Sequence, residues 1–593
     1  MIADLSIEAQ PTVQPVPDKG LVIIVERVDD VALLIGQMVR MGLPEILDSL
    51  ISRHGRQREL SWGWTLTIWL AYILSEGDHR KISMAEYVRG MGHTLSMITG
   101  QAIDALDFDD DRLTHLLNYL SNKEIWQALE CELSQRSIEV YELPTDVVRC
   151  DPTTVSGNHE VKEGGVMQFG HSKDDPSLPQ IKLAAASLDT LGMPLVTEVV
   201  SGEKADDGLY TGLINRVNAA LNKPGLLFVG DCKMSAMEIR GEIVAGGHIY
   251  LSPLPLTGIT AQEMPEWINI GLGKDQDGSL VPIFRKNDRG ETVIVAYAYE
   301  FERTQSVVVG EETLTWQERV LVVCSPAHAQ QQSQGLEQRL TNAQKEIEAL
   351  TPEIGRGRRQ ITDEETLVAA IAAILKKHRV EGLLNVEYER QCTTETRYIG
   401  RGRGSANREQ ETVEKVRYQI TAVTRNEAAI NTIHQRFGWK AFVTNATKDV
   451  LSLQNAILCY RNEYRIENMF HRLKSRLNIA PLFVTRDDQI EGLTYLLTLG
   501  VRVLTLTEFV VRRSLQTDKA TLPNLHPENR KKVTDKPSAE RILKAFSGIT
   551  LTIIQDAAGN QILRYLTPLS PLQRDILNRL GLGSVYDQLQ NSG

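Results

Sequence analysis

The order of apolar periods between residues 147 and 254 limits the fold more than any other feature of the chain. From Leu21 to about Leu133, apolar residues recur at three- and four-residue steps, as in 31–41 and 60–74. That is the spacing of amphipathic helices. From Tyr141 the period changes. Residues 147–148, 180–188, 195–200 and 226–230 read as strands bounded by Gly and Pro, and 248–254 as a strand ending in prolines. Helical segments at 206–221 and 235–245 flank the 226–230 strand. Strand, strand, strand, helix, strand, helix, strand over about 110 residues predicts an α/β core.

Residues 262 to about 435 break this rhythm and read as an insertion. Segments 281–284, 292–301 and 314–323 alternate like antiparallel strands, and 330–350 and 364–377 read as helices. Two more strands, 386–390 and 416–423, flank the loop GRGRG at 400–404. A strand at 439–443, one long helix at 451–477 and an apolar helix at 490–511 follow. Residues 515–540, with Pro523, Pro527 and Pro537, read as a linker. A helix from 539, a hairpin turning at Gly559 and Asn560 and a helix near 571–580 end the chain. The expected organisation is a loose tail (1–20), a helical N-terminal domain (21–140), a core in two parts (141–261 and 436–514), a β-rich insertion with two helices (262–435), and a linker with a small α+β tail (515–593).

At 593 residues the chain is too long for one ordinary core. Its formal net charge of -11 taken alone argues against a nucleic-acid partner. The charge is uneven, however: residues 461–486, 397–425 and 512–536 each carry a net +4. Basic stripes in the second half keep DNA open as a partner. Six scattered cysteines form no CxxC pair and no zinc spacing. The opening MIADLSIEAQPTVQPVP lacks the basic and apolar regions of a signal peptide, and apolar runs such as 226–229 fall short of a membrane span. A cytoplasmic setting is expected.

Asp151 closes VVRCD after a predicted strand, and Asp231 closes LLFVGD. Both stand at or near carboxyl ends of strands, where open α/β sheets form their sites. Glu467 lies in CYRNEYRIENMFHRLKSRL, where Tyr460, Glu467 and Lys474 recur every seven residues. On a regular helix that spacing shares one face. Arg461, Arg465, Arg472 and Arg476 flank it. Three convergent carboxylates suit phosphodiester cleavage, because two divalent ions about 4 Å apart activate the attacking oxygen and stabilise the leaving one. Mg²⁺ and Mn²⁺ prefer carboxylate oxygens. An Asp at a strand end can equally be a turn or helix cap.

These residues resemble a known family. Tyr460, Glu467 and Lys474 fit most of the Y-x2-R-x3-E-x6-K signature of bacterial insertion-sequence transposases with a DDE active site, the insertion-sequence-four-type superfamily. The continuation FHRLK (470–474), the segments DPTTVSG at Asp151, GHSKDDPSLPQIKLA (170–184), GMPLVTEVVSG (192–202) and LFVGDCK (227–233), and the loop YIGRGRG (398–404) are similar to that group's as well. The resemblance covers about residues 20–515. It implies a ribonuclease H-like catalytic core interrupted by a mostly β insertion. Asp151, Asp231 and Glu467 would be the triad holding two Mg²⁺ ions, with Mn²⁺ able to substitute. Tyr460, Arg461, Arg465 and Lys474 would contact DNA, and so would Arg401 and Arg403 of the loop. The implied reaction frees a 3′-hydroxyl at each inverted-repeat end of the element and joins it to target DNA. A homodimer on paired double-stranded ends would do this, with or without a hairpin stage.

One departure stands out: the signature Arg falls at position 463, which holds Glu463. Either a shifted Arg does the phosphate work or Glu463 weakens DNA binding. The competing readings are a catalytically inactive, transposase-derived DNA-binding protein and a nuclease of the same fold without strand transfer.

Overall fold

The structure, a computed structural model, describes residues 21–51, 60–189, 191–287, 289–355, 359–399, 409–529 and 531–590. The expected loose tail (1–20) and the loop arginines Arg401 and Arg403 lie outside the described residues.

The chain begins with β1 (Val22–Arg27) and six helices: α1 (Val31–Arg40), α2 (Leu43–Leu50), α3 (Trp62–Glu76), α4 (Met84–Thr99), α5 (Asp110–Ser121) and α6 (Lys123–Tyr141). The predicted core follows as β2 (Val147–Ser156), β3 (Gln180–Leu188), β4 (Met193–Ser201), α7 (Leu209–Leu221), β5 (Leu227–Gly230), α8 (Met237–Ala245) and β6 (Ile249–Pro253). Next come α9 (Gly258–Gln276), β7 (Val281–Lys286), β8 (Thr292–Val309), β9 (Glu312–Cys324), α10 (Pro326–Glu348), α11 (Glu364–His378), β10 (Leu384–Tyr398), β11 (Gln410–Arg425) and α12 (Glu427–His434). The chain finishes with β12 (Trp439–Thr444), α13 (Leu453–Tyr460), α14 (Tyr464–His471), α15 (Asp487–Asp518), α16 (Ala539–Lys544), the hairpin β13 (Thr550–Gln555) and β14 (Gln561–Leu566), and α17 (Pro571–Leu580).

One mixed sheet dominates, in the order β4-β3-β2-β5-β6-β12-β9-β8-β7. β2 pairs antiparallel with β3 and parallel with β5, and β5 pairs parallel with β6. The crossover helices α7 and α8 that parallel pairing requires are the two predicted ones. Three strands expected in a separate insertion, β7, β8 and β9, instead extend this sheet through β12. Pairing partners so far apart in sequence leave no local signal. The rest of the insertion has its own small core, in which Leu336, Leu340 and Ile347 of α10 meet Leu367 and Ile371 of α11. Among the described residues the insertion region carries four helices, α9 to α12, where two were expected.

At the other end β1 pairs antiparallel with β13, so the first and last segments close on one another. The main core fills the space between the N-terminal helices, the sheet and α15. α15 is long and apolar enough to cross a membrane by length and composition, although 89% of its most apolar window is buried inside the protein. It packs closely: a Cβ on Gly492 would come within 2.1 Å of the Leu117 carbonyl oxygen. Its Arg502, 1% exposed, donates to Ser134 Oγ at 2.9 Å.

Candidate active site

The parallel register sets two carboxylates side by side. Cys150 on β2 is opposite Gly230, the last residue of β5, so Asp151 on β2 and Asp231 just past β5 follow side by side. β5 ends there, at the point where the sheet changes from antiparallel to parallel pairing. β2 continues to Ser156 along β3, so Asp151 sits mid-strand rather than at the strand end expected from sequence. Pro152 falls where β2 has lost its β5 neighbour, an edge that tolerates a missing N–H. Gly230 lets the strands close up here: a Cβ on it would stand 2.7 Å from Met234 Sδ and 3.3 Å from the Cys150 carbonyl oxygen.

Both acids are held. Tyr210 donates its hydroxyl to Asp231 Oδ1 at 2.6 Å, and the Lys233 N–H donates to the same oxygen at 2.8 Å. Lys173 lies 3.9 Å from Asp151 Oδ1 and donates to the Pro152 carbonyl at 3.0 Å. Burial pushes the Asp151 carboxyl up to about 7; Lys173 opposes the shift, while Asp231, Glu463 and Glu467 add to it.

The third wall is the segment expected as one helix. It is instead two short helices, α13 and α14, followed by a π turn over Arg472–Arg476. Between the helices the bonds run i to i−3: Asn462 N–H to Cys459 O at 3.1 Å, Glu463 N–H to Tyr460 O at 3.0 Å, Arg465 N–H to Asn462 O at 3.0 Å. The cause is visible. Arg149, 2% exposed, donates to the Cys459 carbonyl, the group that Glu463 N–H would take in an α-helix. In 3₁₀ winding, side chains three apart eclipse. Tyr460 and Glu463 therefore share a face, and both line the narrow cleft formed with Arg149, Asp151, Asp231 and Ile466. Its free space of about 10 Å³ is that of a single water.

Glu467, the expected third acid, is exposed and is not among the residues lining that cleft. It nevertheless acts electrostatically on both Asp151 and Glu463. Burial also raises the Glu463 carboxyl, and the charge of Glu467 adds to that. Carboxylate oxygens from four acids are the right donor type for Mg²⁺ or Mn²⁺. As the side chains stand, no group of three or more His, Cys, Asp or Glu among the described residues is arranged to hold a metal ion.

The remaining predicted contacts point mostly inward. Arg465 pairs with Asp189 at 3.0 Å and also donates to the Asp189 carbonyl at 2.9 Å. Arg149 Nε holds the other Asp189 oxygen, which makes a buried Arg149–Asp189–Arg465 clamp. Gly192, at φ 69°, completes it: a Cβ there would be 2.7 Å from the Arg465 carbonyl oxygen. Arg461 donates to the Val295 carbonyl at 2.9 Å and to Ser325 Oγ at 3.0 Å. Tyr460 packs on Phe442 with ring centroids 4.7 Å apart, and burial raises its phenol. Lys474 is partly exposed and pairs with Asp174 at 2.8 Å. Arg461 and Arg465, both expected to contact phosphates, bond to protein groups here.

Sequence reading missed Lys173, Tyr210 and the Arg149–Asp189 pair. Lys173 stands in the GHSK turn, two residues after the exposed His171. Tyr210 and Asp189 carried no spacing signal.

No protein-family model matches the chain, and no curated protein matches it. Among solved structures it is similar to the piggyBac transposase in its synaptic complex with hairpin DNA, at 10% sequence identity and a TM-score of 0.24. The match covers 82% of this chain and 80% of that one. A TM-score that low carries no argument, and the functional reading rests on the residues themselves.

Proposed function

We propose that the chain is a DNA transposase of the DDE type with a ribonuclease H-like core, cleaving the ends of its element and joining the 3′-hydroxyls to target DNA. The observation that carries this reading is the pair Asp151 and Asp231, each directly after the in-register Cys150–Gly230 pair of two parallel strands and faced by the Glu463 carboxylate. The sheet order β4-β3-β2-β5-β6, with its first three strands antiparallel and its last three parallel, supports the ribonuclease H-like assignment. The signature residues Tyr460, Glu467 and Lys474 support the transposase assignment.

In this reading Asp151 and Asp231, with Glu463 in the cleft and Glu467 at its rim, would hold two Mg²⁺ ions. Such ions supply charge stabilisation to the phosphoryl oxygens and lower the pKa of an attacking water. The protein's own groups do the positioning. Tyr210 and the Lys233 N–H fix one oxygen of Asp231 and leave the other free. Lys173 places a cation beside Asp151. The Arg149–Asp189–Arg465 clamp fixes α14 against the sheet and so sets the reach of its carboxylates.

The test is nicking of duplex DNA that carries the sequences flanking the gene, with Mg²⁺ present. Wild type should cut and the Asp231→Asn variant should not. Equal cutting by both would end the reading. Cut ends that are never joined to a second duplex would favour the nuclease alternative.

A further inference from the structure

On the far side of α14 from the carboxylate cleft lies a groove of about 750 Å³, walled by α14, the Arg472–Arg476 turn, the C-terminal half of α15 and the segment leading into α16. Five cationic side chains line it against two carboxylates, a net +3 in a chain whose total is -11. Glu508 and Glu540 offset Arg472 and Arg512, which leaves Arg465, Arg476 and Lys536 as the excess, with Arg465 paired to Asp189. Glu508 is shared between Arg472 and Arg512, and Glu540 lies 3.3 Å from Arg472 Nε. Arg512 is held rigid by donating to the Pro537 carbonyl at 2.8 Å. Lys536 and Gln516 are exposed in the groove wall.

At one end stands Tyr464, 44% exposed, with the Arg465 guanidinium 5.9 Å from its ring. At about 100° per residue, the groove face of α14 centres near Asn468 and the cleft face near Ile466, with Glu467 on the seam between them. A strand whose scissile phosphate sat at the carboxylates would therefore have one helix face to cross to reach the groove. The exposed Lys536 ammonium suits a phosphate oxygen as a point charge, and an exposed phenol suits a sugar or base face.

We propose that this groove binds the phosphodiester backbone of DNA as it leaves the carboxylate cleft, with Lys536 facing a phosphate and Tyr464 meeting a sugar or base. This rests on the reading above that the cleft acts on DNA. It places the DNA track on a surface that shares Arg465 with the expected DNA contacts but not Tyr460, Arg461 or Lys474.

The experiment is binding of a fluorescent duplex by the full-length chain, by anisotropy across a salt series, with EDTA present so that no cutting occurs. Neither Lys536 nor Gln516 has a role in packing, so both variants should fold. Lys536→Gln should weaken binding about 3- to 10-fold and reduce the salt slope by about one unit, while Gln516→Lys should raise both. Wild-type affinity and slope in both variants would overturn the groove. So would a wild-type chain that binds no duplex. The two readings fail separately. Asp231-dependent cutting with indifferent groove variants sinks the groove alone. Groove-dependent binding without any cutting sinks the catalytic reading alone.

Discussion

Tyr460 and Glu463 face the same cleft because the chain between them winds as a 3₁₀ turn, drawn tight where Arg149 takes the Cys459 carbonyl. That turn decides which carboxylate of the helix meets Asp151 and Asp231. Glu463, the residue that departs from the signature, is brought in, and Glu467 is left at the rim.

The first prediction follows from this placement. Cation binding, read as the Mn²⁺-induced rise in melting temperature, should fall more in Glu463→Gln than in Glu467→Gln. The opposite order would mean that α14 turns when cations arrive, carrying Glu467 inward.

Asp151 makes stability depend on pH. Its folded pKa of about 7 lies above the ordinary carboxyl value of 3.8, so the folded state holds a proton that the unfolded state gives up. The stability contribution is full below about 4 and is lost as pH rises to about 7. Asp151→Asn should flatten that fall and, without divalent cations, be more stable than wild type at pH 8 by on the order of 1–3 kcal/mol. Mg²⁺ should stabilise wild type more than this variant. Parallel stability curves from pH 4 to 8 would contradict the assignment of a buried, repelled carboxyl.

The clamp gives a third expectation. Asp189 is 6% exposed and pairs with Arg149, itself 2% exposed, and with Arg465. Asp189→Ala leaves two guanidiniums without their acid and should cost about 3–5 kcal/mol in denaturant unfolding. Hydrogen exchange should quicken in α14 in particular. A loss below about 1 kcal/mol, with α14 still protected, would show that the clamp does not hold the helix.

How much of this was legible in the sequence depends on the range of the cause. Asp151 and Asp231 were found because alternation and buried apolar runs mark strands locally. The hairpin at Gly559 and Asn560 announced itself by its turn residues, and the final helix near 571–580 was also legible. The winding around Glu463 could not be read, because its cause, Arg149, lies 310 residues from Cys459 in the chain. The seven-residue spacing of Tyr460, Glu467 and Lys474 assumes a regular helix, and both a 3₁₀ stretch and a π turn interrupt it. The joining of β7 to β9 onto the core sheet was hidden for the same reason: strand pairing through β12 is a tertiary choice.

A fourth prediction concerns Lys474, the one signature cation that is neither buried nor bonded to backbone. Its partner Asp174 competes with any phosphate. Asp174→Asn should tighten duplex binding, and Lys474→Ala should lower the salt slope by about one unit. If Asp174→Asn leaves affinity unchanged, Lys474 does not reach DNA.

The most direct test of the whole account is metal-dependent strand cleavage by the full-length chain and its Asp231→Asn variant, scored on end-containing duplex with Mg²⁺ and with EDTA. The account predicts nicks only for wild type with Mg²⁺, with the variant still binding the duplex. Cutting that survives in the variant would contradict it.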